Sequence, residues 1–385
     1  QTEDFMRGEV TEAISFEGKV SSLREAMKRE KLSALFFYSS GQLSLLEVNP
    51  VLWTAGFLPM GPHTGVLLTD KGEATLVISL SWDEGRVRQA TWIKDVRLAE
   101  DFVGKIGALL REKEIKGEVG FVGWAFMPAA VYNGLGALGE ARFRPADGIL
   151  TSLSRSPGPA ALGALKRAGE IADAGFSALL AMARVGMAEY ELSAEVEYAM
   201  RSLGSEDNFG MVTASDHNHC THPPSDRRLR AGDIIIGEIT PACDGQFVQL
   251  CRTVVIEPVP SIVREKFPIM EEAMEKSLVA VRPGNKVGDV SRAMNEVFAA
   301  HGYAEYCRPP YIRVRGHGLG FLSLPFAEMI DQNDTVIEAG MDFVVHPNQY
   351  LPESGYLMLG DTVWVEEDGY QRLTQTPMKL FTIRG

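Results

Sequence analysis

The sequence predicts an α/β domain over residues 1–155 followed by an α+β domain over residues 156–385. Three observations lead there. Helical and strand periods alternate through the first third of the chain. The remainder reads as a helix pair, strands, a second helix pair and strands again, as in two similar halves. Between the two regions, SLSRSPGPAALG (152–163) gathers the Ser, Gly and Pro of a linker. A chain of 385 residues agrees with two domains.

The elements follow in order. SSLREAMKREKL (21–32) has the period of an amphipathic helix. ALFFYSS (34–40), TGVLLTD (64–70) and ATLVISL (74–80) have strand character. DFVGKIGALLREKEI (101–115) returns to a helical period and GEVGFVGW (117–124) to a strand. Helices are then expected over about 160–185 and 188–203, and strands around 233–256. Two more helices fit 262–281 and 287–302, and strands dominate from about 340 onward.

Composition narrows the function. A net charge of −13 argues against a broad phosphate-binding surface, so no nucleic-acid partner is expected. No uncharged apolar run approaches the roughly 18 residues of a membrane span, and no membrane partner is expected. The polar, acidic start QTEDFMRGEV is unlike a signal peptide. Cys220, Cys243, Cys251 and Cys307 form no CxxC pair and are too sparse for a disulfide framework. A reducing cytoplasm is the expected location.

Candidate chemistry gathers in the second domain. GEITPACDGQFVQLCRTVVI, from Gly237, reads as two strands around an Asp244-Gly245 turn. Glu238 and Gln249 stand where a buried strand pair favours apolar residues. DHNHCTHPPSDRR (216–228) holds His217, His219 and His222, three groups able to move protons near neutrality. In RVRGHGLGF (313–321), glycines flank His317, and Arg313 and Arg315 are candidates for an anionic substrate group. His346 follows MDFVV, and Gly360 interrupts YLMLGDTVWV. Cys251 sits beside Arg252, a neighbour that can lower a thiol pKa. Each feature also has a structural explanation when taken alone. No GxSxG, Walker loop, HExxH or GxGxxG is present.

Taken together, the order and spacing resemble the pita-bread family of methionine aminopeptidase, aminopeptidase P, prolidase and creatinase. HPPSDRRLRAGDII resembles the family's His-x-x-Pro-Ser-Asp-Arg segment. GHGLG is similar to its Gly-His-Gly-Ile-Gly. AGMDFVVHPNQYLPESG resembles Pro-Gly-Met-x-Phe-x-x-Glu-Pro-Gly-x-Tyr, and GDTVWVEEDGYQRLT is similar to Glu-Asp-Thr-Val-x-Val-x-x-Asp-Gly. The resemblance implies a creatinase/prolidase-like N-terminal domain and a pita-bread catalytic domain. The family's peptidases hold two metal ions with Asp, Asp, His, Glu and Glu. Carried across, these positions fall on Glu238, Gln249, His317, His346 and Gly360. A second histidine usual about seven residues after the metal His is replaced by Leu324.

Two divalent cations need carboxylates to bind them and offset their charge. The resemblance, with those carboxylates gone, leads to an expected metal-independent, creatinase-like hydrolase of a C–N bond in a small molecule, a bond other than a peptide bond, with no cofactor. His222 would act as acid/base, with Glu238, His317 and His346 beside it. His219, Gln249, Cys251, Arg313 and Arg315 would contact substrate. A first alternative is a mononuclear enzyme holding one Zn or Fe(II) through Glu238, His317 and His346. A second is a pita-bread binding module without catalysis. The creatinase resemblance further implies a homodimer in which VLWTAGFLPMGPHTG (51–65) closes the pocket, with Trp53, Phe57, Met60 and His63 as wall residues.

Overall fold

A computed structural model describes residues 16–41, 43–155, 157–321 and 327–385. Leu324 lies outside the described residues. The chain divides into two compact units, Gln1–Ala160 and Ala161–Gly385.

The first unit carries α1 (Phe16–Glu30), β1 (Ala34–Ser39), α2 (Pro50–Ala55), β2 (Thr64–Thr69), β3 (Ala74–Ile78), α3 (Asp83–Ala90), β4 (Asp95–Leu98), α4 (Phe102–Glu112), β5 (Glu118–Val122), α5 (Ala129–Ala137), β6 (Arg142–Pro145) and α6 (Asp147–Ser154). Its six strands form one mixed sheet in the order β4-β3-β2-β1-β5-β6. Central strand β1 is buried along its whole length, which is why ALFFYS is apolar without alternation. Asp101 starts α4 by accepting from the Gly104 N–H at 2.9 Å. Phe36, Phe102, Ile106, Leu109 and Phe121 fill the core beneath that helix.

The second unit opens with α7 (Pro159–Met182) and α8 (Glu189–Ser202). Strands β7 (Asn208–Ser215), β8 (Ile234–Cys243), β9 (Gln246–Phe247) and β10 (Leu250–Ile256) follow. Helices α9 (Ser261–Ala280) and α10 (Val287–Ala300) come next. Strands β11 (Gly316–Gly318), β12 (Asp342–Val345), β13 (Gln349–Leu351), β14 (Gly355–Leu357), β15 (Gly360–Glu366), β16 (Gly369–Arg372) and β17 (Phe381–Ile383) complete it. The helix pair, strands, helix pair, strands pattern read from the sequence is the one observed. Strand β7 lies outside that reading, because NFGMVTAS starts with Asn and carries a Gly.

The main path of the large sheet runs β11-β12-β15-β10-β8-β7. Asp244 and Gly245 both take positive φ, 48° and 72°, and make the tight turn between β8 and β9. The register then pairs Glu238 with Cys251, and Cys251 with Gly360. Side chains alternate across a sheet, so this register divides the residues into two faces. One face packs Ile235, Ile239, Leu250 and Val254 against α7 and α8. It also packs Phe343, Val345 and Val363 against α9 and α10. Among the described residues, no helix is long and apolar enough to cross a membrane.

On this helix-covered face lies a fully buried ion pair, Arg252 with Asp361, at 3.0 Å. Arg252 also donates to the carbonyls of Cys251, Gly360, Thr376 and Pro377 at 2.7–2.9 Å. Asp361 receives Arg372 at 3.0 Å and the Thr374 hydroxyl as well. Removing one partner strands the other in a low-dielectric interior. Asp361→Ala is therefore expected to cost about 3–5 kcal/mol in urea unfolding.

Candidate active site on the open face of the sheet

The other face of the same strands carries the polar residues. By register, Thr213, Glu238, Thr240, Gln249, Cys251, Gly360, Thr362, Val344, His317 and His346 all point to it. Buried polar groups are normally hydrogen-bonded. Here Thr213 Oγ1, Thr240 Oγ1, Gln249 Oε1, Asp342 Oδ1 and His346 Nδ1 are buried with no partner. Such a concentration of unused hydrogen-bonding capacity on one face marks a binding surface.

Glu238 and Gln249 sit diagonally across the hairpin, and the Gln249 amide donates to Glu238 Oε1 at 2.7 Å. The backbone of Gln249 is fixed in turn by the Thr362 hydroxyl, which accepts from its N–H at 2.8 Å and donates to its C=O at 2.9 Å. Glu238 is half-buried, and protein surrounds its carboxyl. Burial pushes its pKa up to about 7, with the Gln249 N–H opposing the rise. Tyr356 packs with Cys251, Ile236 and Met358. Burial, with Glu238 next in effect, holds its phenol protonated.

His317 and His346 lie together, ring centroids 5.8 Å apart and planes at 71°. They are 6% and 8% exposed, so both imidazoles are held neutral by burial. The pKa of His346 falls to about 3. His317 Nδ1 stands 2.7 Å from the Gly318 carbonyl, which assigns the proton to that nitrogen and leaves Nε2 as a lone-pair donor.

Several predicted site residues are engaged elsewhere. His222 is exposed in its loop, with Nδ1 2.8 Å from the Pro223 carbonyl. His217 bonds the Pro352 carbonyl at 3.0 Å, and His219 stacks on Tyr350 at 5.7 Å. Arg313 pairs with Glu328 at the surface. Arg315 is buried and donates to Asn295, the Asn348 carbonyl and Gln349, which makes it a structural clamp. The Cys251 thiol pKa is pushed well up by burial and by Glu238. Its neighbour Arg252 points to the opposite face, as alternate strand residues must. In the first unit, Trp53 lies buried under Lys19, and His63 Nδ1 stands 2.8 Å from the Tyr38 hydroxyl. Phe57 is buried as well, whereas Met60 is exposed.

Residues 163–367 match metallopeptidase family M24. The chain belongs to that family. An Xaa-Pro dipeptidase of Pyrococcus furiosus is 25% identical over 334 residues, covering 86% of this chain and 92% of the relative. The X-Pro aminopeptidase of Thermotoga maritima superposes with a TM-score of 0.84 at 21% identity, over 94% of this chain and 99% of that one. An Xaa-Pro dipeptidase from Bacillus anthracis gives 0.83 at 21% identity, over 96% and 100%. The pita-bread fold with its N-terminal domain follows.

These findings correct the expectation of a metal-independent, creatinase-like hydrolase of a non-peptide bond. The family is one of metallopeptidases, and the relatives are named for Xaa-Pro peptides. The expectation of no cofactor falls with it. Loss of carboxylates removes donors for two ions, but two imidazoles and a carboxylate remain, the donor types of the one-ion alternative.

The residues themselves fit two ions poorly. Of the five positions, only Glu238 is a carboxylate. Gly360 offers no side chain, and its place is taken: a Cβ there would stand 2.6 Å from the Cβ of His346 and 3.2 Å from that of Cys251. Among the described residues, no three His, Cys, Asp or Glu side chains gather closely enough to hold an ion. One ion suits the imidazole pair better. Nitrogens at about 2 Å from a shared ion put two ring centroids roughly 5–6 Å apart. The orphaned Nδ1 of His346 agrees with a missing partner.

Asp342 and Tyr356 were missed in the sequence. Asp342 was detectable by the rule that singled out Glu238, a charge inside the apolar run MDFVV.

Two outcomes are expected. Gly360→Ala should cost about 1–3 kcal/mol by overpacking, partly recovered by His346→Gly in a double-mutant cycle read by urea unfolding. In metal-free protein, Glu238 holds its proton longer folded than unfolded. Stability should therefore fall as pH rises from about 4.5 to about 7, by about 1–3 kcal/mol. Glu238→Gln should remove that part of the pH–stability curve.

Proposed function

We propose that this chain is a hydrolase of small peptides, acting on an amide bond of the Xaa-Pro type, with one metal ion in place of two. The observation that carries the reading is the row of polar groups on a single sheet face. Glu238 with its Gln249 partner stands on one side of the Cys251–Gly360 pair, and His346 with His317 on the other. The peptidase relatives support the choice of bond.

His317 and His346 would hold the ion, Zn or Fe(II) by the chemistry of imidazole donors. When bound, it supplies Lewis acidity toward a carbonyl oxygen or water. The chain's own groups do the rest. Glu238, titrating near neutrality, takes a proton from water and delivers it to the departing nitrogen. Gln249 fixes which carboxyl oxygen faces the open side of the sheet. Tyr356, kept neutral, is available as a hydrogen-bond donor to an oxygen that gains charge. The four free thiols fit a reducing cytoplasm.

The test is hydrolysis of a panel of Xaa-Pro dipeptides by protein refed with Zn, Mn or Fe(II). Wild type should turn over at least one of them. Glu238→Gln should lower kcat by about 10²–10⁴-fold while the fold is retained. No turnover across the panel, or full activity in Glu238→Gln, would contradict the reading.

A further inference from the structure

Asp342, the first residue of β12, faces the open side of the sheet two residues from Val344, the register partner of His317. It is 5% exposed, and Gln246 of the β8–β9 hairpin is 9% exposed. Asp342 Oδ1 and Gln246 Oε1 are both buried without a hydrogen-bond partner. They converge at Gly320, which bridges to Phe247, the residue after Gln246. A Cβ placed on Gly320 would stand 2.8 Å from each Asp342 carboxyl oxygen and 3.0 Å from Gln246 Oε1. Both carboxyl oxygens of Asp342 and the amide oxygen of Gln246 thus crowd the one side of Gly320 where a side chain would stand.

Oxygens facing one another without a donor repel, and a buried carboxylate without a counter-charge is costly. Among the described residues, no basic side chain offsets Asp342. Burial raises its pKa to about 7. A positive group there would answer all three oxygens at once.

We propose that Asp342, Gln246 and the open backbone at Gly320 form a binding site for one small cation, distinct from the imidazole pair. All-oxygen donors select a hard cation such as Na⁺, K⁺, Mg²⁺ or Ca²⁺, whereas imidazoles select Zn or Fe. The same three oxygens also match a primary ammonium. The cation is therefore either an inorganic ion or the free amino end of a bound peptide. Only the second source rests on the peptidase reading.

Thermal unfolding of metal-stripped protein in a choline buffer separates the cases. One of Na⁺, K⁺, Mg²⁺ or Ca²⁺ should raise the wild-type Tm saturably by about 3–6 °C over choline at equal ionic strength. His346→Ala should keep the shift, and Asp342→Asn and Gln246→Leu should lose it. If the ions do nothing, a dipeptide with a free amino terminus should raise Tm where its N-acetyl form does not, again with dependence on Asp342. That pattern assigns the site to the substrate's ammonium. If neither ions nor free-amino dipeptide shifts the wild-type Tm, or if both variants keep the full shift, the proposal is overturned. Absence of any wild-type shift overturns the proposal even where a variant fails to fold.

Discussion

The arrangement of the site depends on an interaction made behind it. Arg252 and Asp361 meet on the helix-covered face of β10 and β15, and Arg252 also draws in the carbonyls of Cys251, Gly360, Thr376 and Pro377. A strand alternates its side chains, so locking these two residues also locks the preceding pair, Cys251 and Gly360, opposite each other on the other face. A slip of one residue would bury polar groups under the helices and turn core residues onto the open face. The ion pair thus protects the register that brings Glu238 and His346 toward the same line.

On that line, chemistry follows from burial. The carboxyl of Glu238 is raised to near neutrality, and the imidazole of His346 is driven far below it, by the same loss of water. The result is a carboxyl able to exchange a proton and a pair of neutral nitrogen donors. Gly360 is the link between them. Its missing Cβ leaves room for the Cβ of His346, which would stand only 2.6 Å away.

Much of this was legible in the sequence, for physical reasons. Long helices α7 to α10 declare themselves by period, and the Asp244-Gly245 turn by its need for positive φ. Glu238, Gln249 and His346 stand out as polar residues in or beside apolar strands, and His317 as an imidazole between glycines; the structure places all four on one face. The loop histidines misled. His217, His219 and His222 are frequent and titratable, but nothing in their spacing shows that His222 faces solvent. Arg315 misled in the opposite way, because a clamp and a substrate ligand look alike until its partners are seen. Asp342 was passed over because one charge at the start of an apolar strand reads as an edge. The Cys251–Arg252 neighbourhood failed on simple geometry, since adjacent strand residues point apart.

The measurement that bears most directly on the one-ion site is metal content per chain by mass spectrometry, after stripping and refeeding with Zn, Mn and Fe(II). About one tightly held ion, lost in His346→Ala and in His317→Ala, is the predicted result. Two ions per chain, or none after refeeding, would contradict it.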